Sequence, residues 1–385
     1  MLDTIAINLQ RDDFIIHSPE RFTPHAGALT NPLFGDGGIV KCYYNPTKAE
    51  KAQGYLPRIT VFKKPFGNWA SAVWMKIEFS APKLIFGNNF EELNGNESFD
   101  SVIKTLLKGL KRMGIETTHK VLISAKVVAI HYSKNILLDR DIPCYLLIQT
   151  LQKLDISAKL DLNQTDFRNG GQMAKYHAST FEIAIYDKVK DLEQARKYGA
   201  GRGAETEYEC QHDLFAGQKT PEVLRLEVRL KSRKLKSLMK TLGIQRDMTM
   251  KSLFCASLSR AVLLHYWEEI TKGLYVLNID TGSCEKLIDN IRLYFPKKRP
   301  TTILALMGFV QTCQQTGIRG AKLLLGLNDS QFYRLKSDAK KLEQDTKSPL
   351  FAVLGAVKSQ LKEFIPLIKQ DIVDEDLLKD EVEME

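Results

Sequence analysis

A chain of 385 residues, 44% of them hydrophobic, can bury a sizeable core as one large domain or two ordinary ones. No apolar run approaches the roughly 20 residues of a membrane-spanning helix, and no basic-then-apolar leader is present, so a soluble cytoplasmic protein is expected. The six cysteines form no Cys-x-x-Cys pair, which argues against a disulfide frame or a zinc site, and a net charge of +9 points towards a polyanionic partner such as nucleic acid.

That charge is uneven. Residues 371–385 hold eight acids and one lysine, a charge of −7 that leaves +16 on residues 1–370. So polar a segment is expected to be a disordered tail.

In chain order, residues 1–57 show little periodicity, with turn signals at Asn31-Pro32 and Gly35-Asp36-Gly37-Gly38. Neighbouring strands are predicted over 58–63 and 73–80. A helix follows over 99–113, with Val102, Ile103, Leu106, Leu107 and Leu110 on one face and Lys104, Lys108 and Lys111 opposite. A strand is predicted over 121–132 and a helix over 143–154, with Pro143 in its first turn. The next strand, 180–188, leads through a glycine-rich passage near 198–209 to a strand over 224–231 and a basic helix. After Gly243 the pattern is helical: 250–272, 284–295, 301–316, 318–325 and 330–344. A boundary near 242–247 is therefore expected between an α+β domain (1–242) and an all-helical domain (243–370).

Four of the strands alternate polar and apolar residues, which places them in an antiparallel sheet with one face covered by helices and the other open. Phe181, Ile183 and Ile185 lie opposite Glu182, Tyr186 and Lys188. Leu224, Leu226, Val228 and Leu230 lie opposite Arg225, Glu227, Arg229 and Lys231. Met75, Ile77 and Phe79 lie opposite Lys76, Glu78 and Ser80, and His131 is the ionisable residue of the strand over 121–132.

This open face has chemical uses. A tyrosine phenol can attack a phosphodiester and conserve its energy in a phosphotyrosine link. Lys188, two residues on, would stabilise the phosphate charge. The bland alternative for Tyr186 is a packing role. Cations at Arg225, Arg229, Lys231, Arg233, Lys234 and Lys236 would neutralise phosphates, or form a solvated basic face. Residues 318–336 read as helix, turn, helix, capped at Asp329 or Ser330, with Gln331, Arg334 and Lys336 where base-reading side chains would project.

The segment Phe181-Glu182-Ile183-Ala184-Ile185-Tyr186-Asp187-Lys188 resembles the Tyr-x-Lys block of the filamentous-phage gene II family of rolling-circle replication initiators. Other blocks of that family are matched in order. Ser80-Ala81-Pro82-Lys83-Leu84 with Gly87-Asn88-Asn89 is similar to its Ser-x-Pro-Lys block, and the stretch from Leu224 to Ser237 is similar to its strand and basic helix. Phe332-Tyr333-Arg334 is similar to its Phe-Trp-Arg helix.

The resemblance implies a palm-like nicking domain whose Tyr186 nicks one strand of a phage or plasmid origin, joins the 5′ phosphate and later rejoins the strand. Origin DNA, host helicase and host polymerase are the implied partners, and Mg²⁺ or Mn²⁺ the implied cofactor. Enzymes of this mechanism often hold the metal through a His-hydrophobe-His motif, which this chain lacks. His131, in Ala129-Ile130-His131-Tyr132, stands where the family shows an Arg-Ile-Asp strand, and Glu78 and Glu227 are the carboxylates placed to join it. A histidine ligand would shift preference towards Mn²⁺. A non-catalytic origin-binding regulator that keeps the fold is the alternative, and a structural nucleic-acid-binding protein is a third.

Overall fold

The alternating stretches set the architecture, because each puts an apolar row on one side of a single sheet. The computed structural model describes residues 1–27, 40–66, 70–139, 142–153, 173–193, 220–271, 279, 282–342 and 349–369. The passage near 198–209 and the acidic segment 371–385 lie outside these residues. The strands are β1 (Leu2–Gln10), β2 (Ile15–Ile16), β3 (Phe22–Thr23), β4 (Val40–Tyr44), β5 (Arg58–Phe66), β6 (Ala70–Ser80), β7 (Ile115–Glu116), β8 (Lys126–Leu137), β9 (Met173–His177), β10 (Phe181–Asp187) and β11 (Val223–Lys231). Nine of them form one antiparallel sheet in the order β3-β4-β5-β6-β1-β8-β11-β10-β9, while β2 pairs with β7.

The protein is thus α+β, with a large antiparallel sheet and many helices. Directly paired residues of an antiparallel sheet share a face. Ile5, Phe79, Ile130 and Leu230 therefore line one side, together with Ile183, Val228 and Tyr132. Helices cover that side.

The start of the chain departs from expectation. β1 is a central strand between β6 and β8, not an aperiodic segment. Ile5, Ile7 and Leu9 are buried on the helix side, while on the other face Thr4 and Asn8 are half-buried and Gln10 is exposed, with Ala6 buried between them. Thr4 to Gln10 thus alternate as a half-exposed strand does, with the polar row broken at Ala6. Residues 121–124, assigned to a strand by pattern, instead belong to a short helix, His119–Ser124, whose start is capped by the Thr118 side chain accepting from the Val121 amide, and β8 begins at Lys126.

The helical region also divides differently. The helices Ala256–Thr271 and Pro349–Glu363 pack on the sheet: Leu258, Val262, Trp267, Val357 and Leu361 share its core with Leu226 and Ile5. Phe181 stacks on Tyr266 with ring centroids 5.6 Å apart. The Gln360 side chain brackets the end of β8, accepting from the Leu137 amide (3.2 Å) and donating to its carbonyl (2.8 Å). A second apolar core is built from helices Cys284–Tyr294, Pro300–Leu324 and Asp329–Lys340 around Phe309, Val310 and Phe332. The separation of cores therefore does not fall near Leu242; residues 279–342 form the separate helical cluster. The helices read as 301–316 and 318–325 run together across a kink at Gly317, whose φ of 79° suits glycine and whose missing Cβ leaves room for the Lys153 carbonyl.

A fragment ending at Leu242 is accordingly expected to fail as an independent unit. It would expose the apolar side of β1, β8 and β11 that helices 256–271 and 349–363 cover. Near-UV circular dichroism of that fragment should show no fixed tertiary signal, and a cooperative melt would refute the expectation.

Candidate functional site

Opposite the helices, the pairing registers place polar side chains in rows across the sheet. One row runs His177, Glu182, Arg229, His131, Thr4, Ser80 from β9 to β6. The next holds Lys175, Ala184, Glu227 and Ser133, and the third Met173, Tyr186, Arg225 and Asn135. These rows floor a cleft of about 940 Å³. Tyr44, Lys51, Tyr55 and Arg58 line it on one side, Lys83 and Asn89 on another, and Asp191 near Tyr186.

Tyr186 reaches the floor of the cleft but is only 5% exposed. Its hydroxyl donates to Glu227 Oε2 at 3.0 Å. Burial and the Glu227 charge push the phenol well above its ordinary value of 10.0, so it is a neutral donor. Glu227 itself is buried and crowded by cations. Arg229 Nε donates to its Oε1 at 2.7 Å, His131 Nδ1 lies 3.4 Å from the same oxygen, and Arg225 Nε is 3.9 Å from Oε2. Burial opposes the Glu227 charge, yet Arg229, His131 and Arg225 together outweigh it and hold the carboxyl well below 4.5.

Asp3 is the residue that pattern reading missed. The β1–β8 register slips between Leu2 and Thr4, a bulge beside Asp3. Its carboxylate meets Arg225 at 3.1 Å and accepts from Ser80 Oγ at 3.3 Å. Ser80 also caps the helix Ala81–Phe86, and its amide donates to Tyr55 Oη at 2.8 Å.

Asp3, His131 and Glu227 offer donor atoms all within 4.8 Å of one another and could hold a metal ion. Two oxygens and an imidazole nitrogen suit a divalent cation of borderline character such as Mn²⁺ as well as Mg²⁺. Two guanidiniums already balance the two carboxylates, so a cation gains most when an anion such as a phosphate arrives with it. Glu78 lines the same cleft but is drawn off by Lys76 (2.5 Å) and Arg58 (3.5 Å) and does not belong to the ligand cluster. Asp3→Asn or His131→Ala is expected to weaken Mn²⁺ binding about tenfold, measured by titration calorimetry with a DNA oligonucleotide present; Glu78→Gln should change it less than threefold. Equal losses for all three would remove the distinction.

Cys144, Asp187 and Glu222 form another group of possible ligands, on the helix-covered side. Glu222 accepts from the Cys144 amide at the first turn of helix Cys144–Gln152, where the helix dipole disfavours a cation.

The other expected residues separate into two sets. Lys188 is fully buried behind Tyr186, its ammonium 5.9 Å from the ring centroid and bonded to Asn89 Oδ1 (3.0 Å) and Asp191 Oδ2 (3.2 Å). Burial lowers its pKa. It supports the floor from below and presents no face to the cleft.

Arg225, read as a phosphate contact, is buried and ties the Asn89 carbonyl, Asn135, Ser133 and Asp3 together. The neighbouring rows leave its guanidinium no route outward. Lys231 donates to the Ser179 carbonyl. The basic helix Ser232–Thr241 docks through Leu235, Leu238 and Met239 on the apolar side, with Lys234 over the Phe181 ring. Arg233 and Lys236 are thus exposed away from the Tyr186 face.

In the separate helical cluster, Asn328 caps the helix Asp329–Lys340, a place assigned to Asp329 or Ser330 by pattern. Gln331 completes that cap by accepting from the Asn328 amide at 3.1 Å, which occupies its side-chain carbonyl. Arg334 is exposed, and Lys336 lies against the Phe332 ring.

Among the described residues no helix is long and apolar enough to cross a membrane. Comparisons of the chain with protein-family models, curated proteins and solved structures give no match.

Proposed function

We propose that this chain is a rolling-circle replication initiator that nicks one strand of an origin through Tyr186. The observation that carries the reading is convergence: residues from three separate sequence blocks, Ser80 with Lys83 and Asn89, then Tyr186, then Glu227 with Arg229, line one cleft. The reaction is a transesterification within a palm-like nicking domain. The Tyr186 oxygen forms a bond to the scissile phosphorus as the bond to the 3′ oxygen breaks, and the strand is left with a 5′-phosphotyrosine and a free 3′ hydroxyl. Glu227 is positioned to take the phenolic proton, while Arg229 and Lys83 flank the path of the phosphate. Asp3, His131 and Glu227 would hold a divalent cation, which when bound polarises the phosphoryl oxygens and lowers the phenol pKa. Reversal of the same step rejoins the strand.

One observation favours a second reading, a non-catalytic origin-binding regulator. The Tyr186 hydroxyl is buried and already donates to a carboxylate. Supercoiled plasmid carrying candidate origins, incubated with Mn²⁺ or Mg²⁺ and separated under denaturing conditions, distinguishes the two. Nicked circles carrying covalently attached protein support the initiator. Bound but intact plasmid supports the regulator.

A further inference from the structure

We infer that a groove on the helix-covered side of the sheet, walled by the basic helix Ser232–Thr241 and by residues 243–252, is a second nucleic-acid site that binds single-stranded DNA. It faces away from Tyr186 and is independent of nicking there.

The groove encloses about 950 Å³, as large a space as the Tyr186 cleft. Both of its walls are fixed. The helix Ser232–Thr241 docks on the apolar side of the sheet through Leu235, Leu238 and Met239. It ends at Gly243, whose φ of 68° lets the chain reverse, so that the Ile244 amide reaches the Met239 carbonyl at 2.9 Å. The returning segment is clamped at the start of β8. There the Met248 carbonyl accepts from the Val127 amide at 2.9 Å, and the Met250 amide donates to the Ala125 carbonyl at 3.0 Å.

The charge on this groove is uncompensated. Lys236 and Lys240 line it one helical turn apart, exposed, and neither forms an ion pair among the described residues. Arg246 is exposed as well, and its Nη1 donates to the Ser252 carbonyl at 3.0 Å, a bond that aims the guanidinium without neutralising it. Arg233, exposed three residues before Lys236, continues the stripe along the same helix face. Asp247 is the one acid among the described residues of the lining, and it is paired with none of these cations.

A row of unpaired cations fits the phosphates of a nucleic acid. The floor decides which kind. Met239, Ile244 and Met248 give the groove an apolar surface, and methionine adapts its shape to varied partners. The bases of a duplex are stacked inside and leave such a floor uncovered. Those of a single strand can lie on it while the backbone follows the lysines. Because the sheet separates groove from cleft, the protein can hold one segment of a strand here while another segment lies at Tyr186.

The test reads the two sites apart in the full chain. Lysines are acetylated with and without saturating oligothymidylate, and the modified positions are mapped by mass spectrometry. Lys236 and Lys240 should become about threefold less reactive or more when oligothymidylate is bound, and Tyr186→Phe should leave that protection unchanged. The double variant Lys236→Gln/Lys240→Gln should bind oligothymidylate about tenfold more weakly and lower the salt slope by about 1.4, since each single-strand phosphate contact contributes about 0.7. Lys104→Gln/Lys108→Gln removes the same charge from exposed positions of the helix Phe99–Arg112. At about 0.1 M salt it should keep affinity within about twofold.

Unchanged reactivity of Lys236 and Lys240 overturns the inference. So does an equal loss of affinity in both double variants, which would report net charge alone. Protection by duplex DNA or by oligoglutamate, but not by oligothymidylate, overturns the single-strand assignment. Protection of these lysines in a protein that nicks no DNA upholds the groove and removes only the Tyr186 reading.

Discussion

Tyr186→Phe abolishes strand cleavage, by about 10⁴-fold or more, and leaves the fold and DNA affinity in place. That is the expected result, because the substitution removes one oxygen from a floor otherwise built by neighbours. The buried hydroxyl makes one described hydrogen bond, to Glu227 at 3.0 Å, so its loss costs about 1 kcal/mol. Oligonucleotide affinity should stay within about twofold, since phosphate neutralisation by lysine and arginine dominates it. Denaturing electrophoresis with radiolabelled DNA reads cleavage and the covalent adduct together. Wild-type cleavage by the variant, or an adduct mapped to Tyr44, Tyr55 or another tyrosine, would end the assignment.

Removing Glu227 has the largest effect expected on the fold. Its carboxylate sits among Arg225, Arg229, His131 and the Tyr186 hydroxyl at 2% exposure. Glu227→Ala leaves two guanidiniums without their shared partner, a loss of about 3–5 kcal/mol. Glu227→Gln keeps the acceptor for Tyr186 but not the charge, and should lose less.

The pH dependence has a definite sign. The folded carboxyl is held below its ordinary value of 4.5, so its stabilisation is complete above that value and disappears as pH falls through the lower folded one. Wild type and Glu227→Gln should differ most near neutrality and converge in acid. Urea unfolding at pH 7 and at decreasing pH measures both effects. A Glu227→Ala protein within 1 kcal/mol of wild type at pH 7 would show that the cations find other partners.

What could be read from the chain depended on exposure. β6, β10 and β11 keep one polar and one apolar row, so their faces, and the shared face of Tyr186, Glu227 and Arg229, were legible from spacing alone. β1 was not. Its polar row of Thr4, Asn8 and Gln10 is short and broken by Ala6, and Asp3 lies at a register slip that no periodicity signals. Lysine and arginine side chains were the other source of error. Spacing places Arg225 on the polar face but does not report that Asp3, Asn89, Ser133 and Asn135 enclose it. Nor does a helical pattern say where a helix docks. Residues 256–271 look no different from those of 300–324, yet the first covers the sheet and the second builds its own core.

The central place of β1 also governs when the molecule can fold. It pairs with β6 and β8, and β8 pairs with β11 at residues 223–231. On a ribosome adding about 5–20 residues per second, both neighbours of β1 have been made roughly 6–25 s after it, while β11, which covers the far edge of β8, follows only after roughly 10–45 s. The helix at 349–363 arrives later still. Until then β8 stands as an open sheet edge with its apolar side uncovered, the condition in which chains associate with one another or are held by chaperones. Soluble yield should therefore rise with added chaperone more than the stability of the finished protein would suggest.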